Sequence, residues 1–483
     1  MKLDYSLLTD LYQLTMAQGY WEVGKVDEEA CFHMYFRDNP FQGGFALACG
    51  MAQLAEIIDT FSFSPEDIDY LASLDAPAGG PLFKQAFLDY LADFELVVDI
   101  DAVHEGVVVF PNEPLVRVCG PILQCQLLET ALLNCINFET LIATKASRVC
   151  LAAQAPVAEF GLRRAQGTGG LWASRAAIVG GCASTSNVLA GKLFGIPVSG
   201  THAHSWVMAF EDELEAFRAY ARVMPRNCVL LIDTYDVRQG LENAITVGLE
   251  MKEQGNRLAG IRIDSGDLAW LAKMARERLD AVGLTDTGIV LSNDLDEYTI
   301  QSIRDQGAQV ASWGVGTKLA TAYDQPTLGG VYKLSATRTA GSETWRDCLK
   351  ISEQTTKLTT PGVLDVRRYY DDDGCIAGDM VFDVHDSLCS HETIIDPADS
   401  LRRKPLEGKR FETLLYPLAR KGHLVLEEEY RDATKARDRA MAQLDTLDDT
   451  QKRILNPHSY PVGLEYGLFE RRRNLVAHLR GIQ

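Results

Sequence analysis

No apolar run in this chain approaches the ~20 residues that span a bilayer, so the sequence offers no transmembrane helix. Its first residues, Met1-Lys2-Leu3-Asp4-Tyr5, lack both the basic and the apolar region of a secretory signal, and the expectation is a cytoplasmic protein. Positive charge is scarce: 47 Lys and Arg against 67 Asp and Glu leave a formal net charge of −20. That balance repels polyanions and argues against nucleic acid or an anionic membrane as partner. Paired Cys-x-x-Cys spacing is missing too. The 11 cysteines are odd in number and scattered through mostly apolar segments, so they read as buried free thiols in a reducing compartment. The nearest approach to a metal cluster, Cys375, His385, Cys389 and His391, lacks the spacing of structural zinc. No internal repeat is evident beyond an alternation of element types.

What is present fits a soluble globular chain, with 46% apolar and 24% charged residues. A helix is expected over Leu7 to Ala17 with Thr9 or Asp10 near its N-cap. A small β-rich element is expected from Val103 to Val118, then strongly apolar helix from Leu123 to Cys150. Beyond it, apolar runs recur at Val157–Phe160, Ile196–Val198, Val229–Ile232, Gly260–Ile263, Ile289–Leu291, Val310–Trp313 and Val331–Leu334. Segments of helical period, such as Glu242 to Lys252 and Leu268 to Leu279, separate most of them. This is the pattern of successive βαβ units, and it predicts a parallel sheet closed or nearly closed into a barrel. After about residue 338 the alternation stops. A hairpin is expected where Leu364–Tyr370 and Met380–Val384 flank Asp371-Asp372-Asp373-Gly374, then an exposed helix over Glu428 to Leu447 and a last helix from Leu468.

Each expected barrel strand is followed by polar, basic or glycine-rich residues. These are Arg163-Arg164, Thr201 to Ser205, Asp233-Thr234-Tyr235-Asp236, Asp264-Ser265-Gly266-Asp267, Ser292-Asn293-Asp294 and Gly314-Val315-Gly316-Thr317-Lys318. In a parallel barrel such ends converge on one face, where barrel enzymes hold their sites. Any one of them could be an ordinary cap, Asp267 or Asp294 above all; their joint occurrence points to a site. Gly314-Val315-Gly316-Thr317 frees backbone amides for an anion, and Lys145, Arg148, Arg163, Arg164 and Arg175 supply cations. Asp233, Asp236, Asp264 and Asp267 are hard oxygen donors for Mg2+ or for ribose hydroxyls. Two histidines, His202 and His204, add groups that exchange protons or act as nucleophiles near neutral pH. The combination points to a phosphorylated sugar and a metal.

Leu8-Thr9-Asp10-Leu11-Tyr12-Gln13, Phe160-Gly161-Leu162-Arg163-Arg164-Ala165, Gly200-Thr201-x-Ala203-His204-Ser205 and Asp233-Thr234-Tyr235-Asp236 carry a resemblance. Arg262-Ile263-Asp264-Ser265-Gly266-Asp267, Gly314-x-Gly316-Thr317 and Asn456-Pro457-His458-x-Tyr460-Pro461-Val462-Gly463 extend it. In order and over essentially the whole chain, these motifs strongly resemble the nicotinate phosphoribosyltransferase family. The resemblance implies a type II phosphoribosyltransferase-like α/β fold: an irregular parallel α/β barrel with a second α/β domain built from N-terminal and C-terminal segments. The expected domains are residues 1–135, the barrel at 136–338, and 339–483 completing the N-terminal domain. It also implies a ligase-type enzyme of NAD salvage, with glycosyltransferase chemistry. Nicotinate and phosphoribosyl pyrophosphate would give nicotinate mononucleotide and pyrophosphate, coupled to ATP hydrolysis, with Mg2+ as cofactor, in a homodimer.

Carried over by position, the resemblance makes His204 the phosphorylated histidine, with His202 at the variable place of the motif. Tyr12, Thr201 and Arg262 fall where the family contacts nicotinate, and Thr317 with Gly314 and Gly316 where it holds the 5′-phosphate. Arg163, Arg164, Ser292 and Asn293 join them as substrate-binding positions, Arg262 and Asp264 join His204 as catalytic, and Asp233 with Asp264 are expected as Mg2+ ligands. Arg262 sits inside an apolar run, where a guanidinium needs a partner. Asp264, two residues on, is one candidate; the nicotinate carboxylate, through two parallel hydrogen bonds, is the other. The alternatives are a related nicotinamide or quinolinate phosphoribosyltransferase and a catalytically silent barrel that only binds. The intact set of His204, Arg262, Asp264 and Gly314 to Thr317 disfavours the silent barrel.

Overall fold

The computed structural model describes residues 5–351, 358–386, 392–425 and 431–482. They form two compact units, residues 142–326 and residues 1–141 together with 327–483. Cys389 and His391 lie outside the described residues, and the ten described cysteines are all free thiols.

The 142–326 unit is built on a six-stranded sheet in the order Ser184–Thr185, Val157–Glu159, Ser312–Val315, Gly288–Ser292, Gly260–Ile263, Val229–Leu231. Every neighbouring pair is parallel. Parallel strands are covered on both faces, and the runs are accordingly apolar almost throughout: Ile261, Ile263, Ile289, Leu291 and Trp313 are buried. The expected strand at Ile196–Val198 is reduced to a single parallel bridge between Val198 and Thr185, next to Pro197, which has no N–H to extend a ladder. Between that bridge and the Val229–Leu231 strand no ladder runs among the described residues. A side chain spans this seam instead: Nε2 of His202 accepts the backbone N–H of Leu231 at 3.1 Å.

The seventh expected barrel strand belongs elsewhere. Val331–Arg338 runs antiparallel to Glu29–Tyr35 in the sheet of the other unit, with Tyr332 opposite Met34 and stacked on Phe32 at 4.8 Å. Its alternation marks a strand, but alternation does not choose the partner, and an aromatic pair distant in sequence does so here.

The unit of residues 1–141 and 327–483 interleaves the two ends of the chain. Its seven-stranded sheet sets Tyr416–Arg420 against Asp99–Ala102 and Val331–Arg338 against Glu29–Tyr35. A six-stranded sheet of C-terminal segments contains the expected hairpin, Leu364–Tyr370 with Ile376–Asp383, joined through the polar turn. The first helix runs Leu11–Glu22 from an Asp10 N-cap; Ala433–Asp445 and Tyr466–Leu479 are the late helices. Among the described residues no helix is long and apolar enough to cross a membrane.

Candidate active site at the strand ends

Three loops after the parallel strands share one register. The helices Val237–Glu253, Leu268–Ala281 and Glu297–Asp305 begin at Asp236, Asp267 and Asp296, whose carboxylates accept the N–H of Gln239, Trp270 and Thr299. These three acids satisfy helix ends that would otherwise be orphaned. Asp236 and Asp267 are therefore caps through one carboxylate oxygen each, and the cap of the third helix is Asp296, not Asp294. Asp233 and Asp264 differ because each directly follows the apolar run of its strand, three residues before the cap. Asp233 Oδ2 accepts the Asp264 N–H at 3.0 Å and the Ser265 hydroxyl at 2.6 Å, tying two neighbouring strand ends together.

Arg262 is the hub. Its Nε donates to Ser292 Oγ at 2.8 Å, Nη1 to Thr201 Oγ1 at 3.1 Å and Nη2 to Asp264 Oδ1 at 3.0 Å. Ser292 in turn donates a short hydrogen bond to Asp264. The guanidinium lies over the Phe160 ring at 5.5 Å. Asp264 is thus a partner of Arg262, as the sequence allowed. A guanidinium carries five N–H donors, and only three are engaged by these residues. The rest leave capacity for a further anion.

The two histidines separate by environment. A backbone N–H only donates and a carbonyl only accepts, so His202 must keep Nε2 bare for Leu231 and its proton on Nδ1, 3.3 Å from the Ala203 carbonyl. Burial lowers its pKa and favours that neutral form. His204 opens the short helix His204–Met208, and 41% of its side chain is exposed. Its Nδ1 lies 3.2 Å from Thr234 Oγ1, and Nε2 lies 3.9 Å from Asp233 Oδ1, a buried oxygen with no hydrogen-bond partner among the described residues. Only His204 combines access with a waiting carboxylate.

The expected phosphate groups divide in the same way. Lys145 and Arg148 are buried, and Glu297 takes both, at 2.6 and 2.8 Å; Lys145 also pairs with Asp324 at 2.7 Å. Arg175 is fully buried near the Phe194 ring. None of these three is a rim cation. Arg163 and Arg164, on the turn Leu162–Arg164, are exposed and make no ion pair with a described residue. Gly314 is small for a different reason from the one expected, since a Cβ there would meet the Phe160 ring at 2.7 Å. It gives room to the ring beneath Arg262. Gly316 meets nothing closer than 3.3 Å, and Gly316 and Thr317 are both partly exposed at the start of Thr317–Ala320. Asn293, at φ 92°, is held in the left-handed region that non-glycine residues avoid, at the end of the Gly288–Ser292 strand.

Asp233 and Asp264 are hard oxygen donors on neighbouring strands, and the unmet Asp233 oxygen makes the pair chemically suited to Mg2+ completed by substrate oxygens. Tyr12, half-exposed on Leu11–Glu22, belongs to the other unit. Sequence reasoning assigned no role to Phe160 or Thr234. Phe160 directly follows its strand, as Asp264 does, and Thr234 follows Asp233 in the polar stretch after the Val229–Leu231 strand; that position was the available signal.

A parallel sheet with arginine, carboxylate, histidine and a glycine-rich turn at its strand ends, joined to a second α/β unit, is the architecture of a type II phosphoribosyltransferase. The crystal structure of nicotinate-nucleotide pyrophosphorylase from Pyrococcus furiosus shares this fold, with a TM-score of 0.69 at 20% identity over 92% of this chain and 97% of that one. The crystal structure of human nicotinic acid phosphoribosyltransferase superposes with a TM-score of 0.82 at 32% identity, covering 97% and 99% of the two chains. Family models described as the nicotinate phosphoribosyltransferase (NAPRTase) N-terminal domain, NAPRTase family and C-terminal domain match residues 7–137, 156–360 and 365–472. The nicotinate phosphoribosyltransferase of Bacillus subtilis (strain 168) is 46% identical over 366 residues, 75% of this chain and 73% of the relative. That of Homo sapiens is 34% identical over 533 residues, 98% and 96% of the two. The chain belongs to the nicotinate phosphoribosyltransferase family.

Proposed function

We propose that the protein transfers the 5-phosphoribosyl group of phosphoribosyl pyrophosphate to nicotinate, forming nicotinate mononucleotide in NAD salvage. The pyridine nitrogen forms the new bond to C1 of the ribose as the C1–oxygen bond to pyrophosphate breaks, and pyrophosphate leaves with the electron pair. The observation that carries this reading is Arg262, held by Thr201, Asp264 and Ser292 over Phe160 with donors to spare. An aromatic ring bearing a carboxylate suits that surface, because the carboxylate completes the guanidinium. Arg163 and Arg164 meet the anionic phosphates, and the Gly316 and Thr317 backbone with the Thr317 hydroxyl binds the 5′-phosphate. Asp233 and Asp264 would hold Mg2+, which would supply positive charge to the pyrophosphate leaving group. The working form is a cytoplasmic homodimer.

Transfer itself needs no histidine nucleophile, so His204 serves the coupling to ATP. A ring nitrogen attacks the terminal phosphorus, ADP leaves, and water later hydrolyses the phosphohistidine. Thr234 and Asp233 hold the ring, and the carboxylate offsets the positive charge of the phosphorylated imidazole. His202 is unsuited to this task because both its nitrogens are committed to the backbone. His204→Ala is expected to abolish ATP hydrolysis and acid-labile labelling from ATP while retaining slow, ATP-independent transfer. Undiminished labelling in that variant, with loss only in His202→Ala, would overturn the assignment.

A further inference from the structure

The unit of residues 1–141 and 327–483 contains a cavity of about 560 Å3 for which the proposed reaction has no use. One wall is the Pro457 to Tyr460 stretch of the late motif, and another carries Arg37 and Asn39. The volume is that of a small-molecule site. Its chemistry is unusual for an acidic protein.

Arg472, on the helix Tyr466–Leu479, is only 8% exposed and lines the cavity. Among the described residues its guanidinium meets carbonyl oxygens alone: Thr359 from Nε at 3.0 Å, Leu358 from Nη2 at 3.3 Å and Pro397 from Nη1 at 3.5 Å. Carbonyls satisfy hydrogen bonds but do not neutralise a charge, and part of the five-donor fork stays unengaged. Burial lowers the Arg472 pKa, so the charged form lacks compensation as it stands. Arg37 likewise makes no ion pair with a described residue and lies 5.9 Å from the Tyr35 ring centre. Asp38 and Asp396 also line the cavity without pairing to either arginine. Two cationic forks lining one volume describe a ligand with an oxyanion.

We propose that this cavity is a second ligand site, separate from the strand-end site, that binds a small organic oxyanion, either a carboxylate or a phosphate ester. Its oxygens complete Arg37 and Arg472. The test is isothermal titration of the full-length protein with inorganic phosphate and, separately, with citrate, in wild type, Arg37→Gln and Arg472→Lys. Arg37 is partly exposed, so Arg37→Gln keeps the test open if the Arg472 variant misfolds. At least one probe is expected to bind the wild type and to weaken about tenfold in Arg37→Gln, with kcat/KM for phosphoribosyl transfer within about twofold of wild type. Response to phosphate alone identifies a phosphate ester, and response to citrate alone a carboxylate. Identical isotherms in wild type and Arg37→Gln, or no binding of either probe up to roughly 10 mM, overturn the proposal. A parallel fall in kcat/KM also overturns it, because the cavity would then be part of the reaction site.

Discussion

On the Leu364–Tyr370 strand Arg368 is fully buried, and Asp379 meets its Nε at 3.1 Å as well as its Nη2, while Gln443 meets Nη1 at 3.0 Å. On the Gly260–Ile263 strand Arg262 is 14% exposed and is held at three corners by single hydrogen bonds. Burial by itself would lower the Arg368 pKa, but the Asp379 charge more than reverses this, and the guanidinium stays cationic. The same Asp379 also accepts from Tyr460 at 2.8 Å, and burial, reinforced by the Asp379 charge, raises the pKa of the neighbouring Glu113. One region answers its arginine with a full carboxylate in the dry interior. The other supplies only enough contacts to aim its arginine, at a strand end open to ligand. Pairing is complete in the dry interior and incomplete at the strand end, as the proposed binding of a carboxylate there requires.

The sharpest way to break this contrast is to remove each arginine. Arg368→Met keeps most of the volume but leaves Asp379 buried beside Glu113 without its cation, and should cost about 3–5 kcal/mol of stability, read as a large drop in Tm. Activity should fall only with the folded fraction. Arg262→Ala should do the reverse. Wild type should prefer nicotinate over nicotinamide by roughly 2–4 kcal/mol, or about 30- to 1000-fold, because the neutral amide offers one acceptor and turns donors toward a cation. The variant should lose that preference, Arg262→Lys should weaken nicotinate less than Arg262→Ala, and Tm should barely change. Equal discrimination in wild type and a folded Arg262→Ala would move selectivity to other residues. A marked loss of Tm would make Arg262 a structural residue like Arg368.

The smallest effect concerns the seam. His202→Ala leaves the buried Leu231 N–H without its acceptor and should cost about 1–3 kcal/mol. Because folding depresses the His202 pKa, its contribution is fully present above its ordinary value of about 6.5 and is lost as pH falls through the folded value. Acid unfolding of wild type should include this step, and that of His202→Ala should not. Coincident curves from pH 8 downward would mean that the hydrogen bond contributes nothing.

Legibility followed register. Parallel strands announce themselves as apolar runs because both faces are covered, and five of the seven expected runs became ladder strands of one parallel sheet. The two-residue strand Ser184–Thr185 escaped notice because it is too short to show any period. At the site, types and spacing located Thr201, Asp233, Arg262, Asp264 and Ser292, which the structure brings into one hydrogen-bonded group, and His204, which is hydrogen-bonded to Thr234 with Nε2 3.9 Å from Asp233. Lys145 and Arg148 were misread for a physical reason. A basic residue in an apolar helix is either a ligand group or half of a buried pair, and the other half, Glu297, lies 152 and 149 residues away.

The sequence by itself determined the alternation of strands and helices, the polar stretch that follows each strand, and the family motifs. These are local properties, written in neighbouring residues. Tertiary structure decided which sheet received Val331–Arg338, which of His202 and His204 bridges the seam and which stays exposed, and which cations were already answered. Each of those outcomes depends on a partner far along the chain and on the desolvation that the partner must offset, and neither is encoded in the spacing of neighbours.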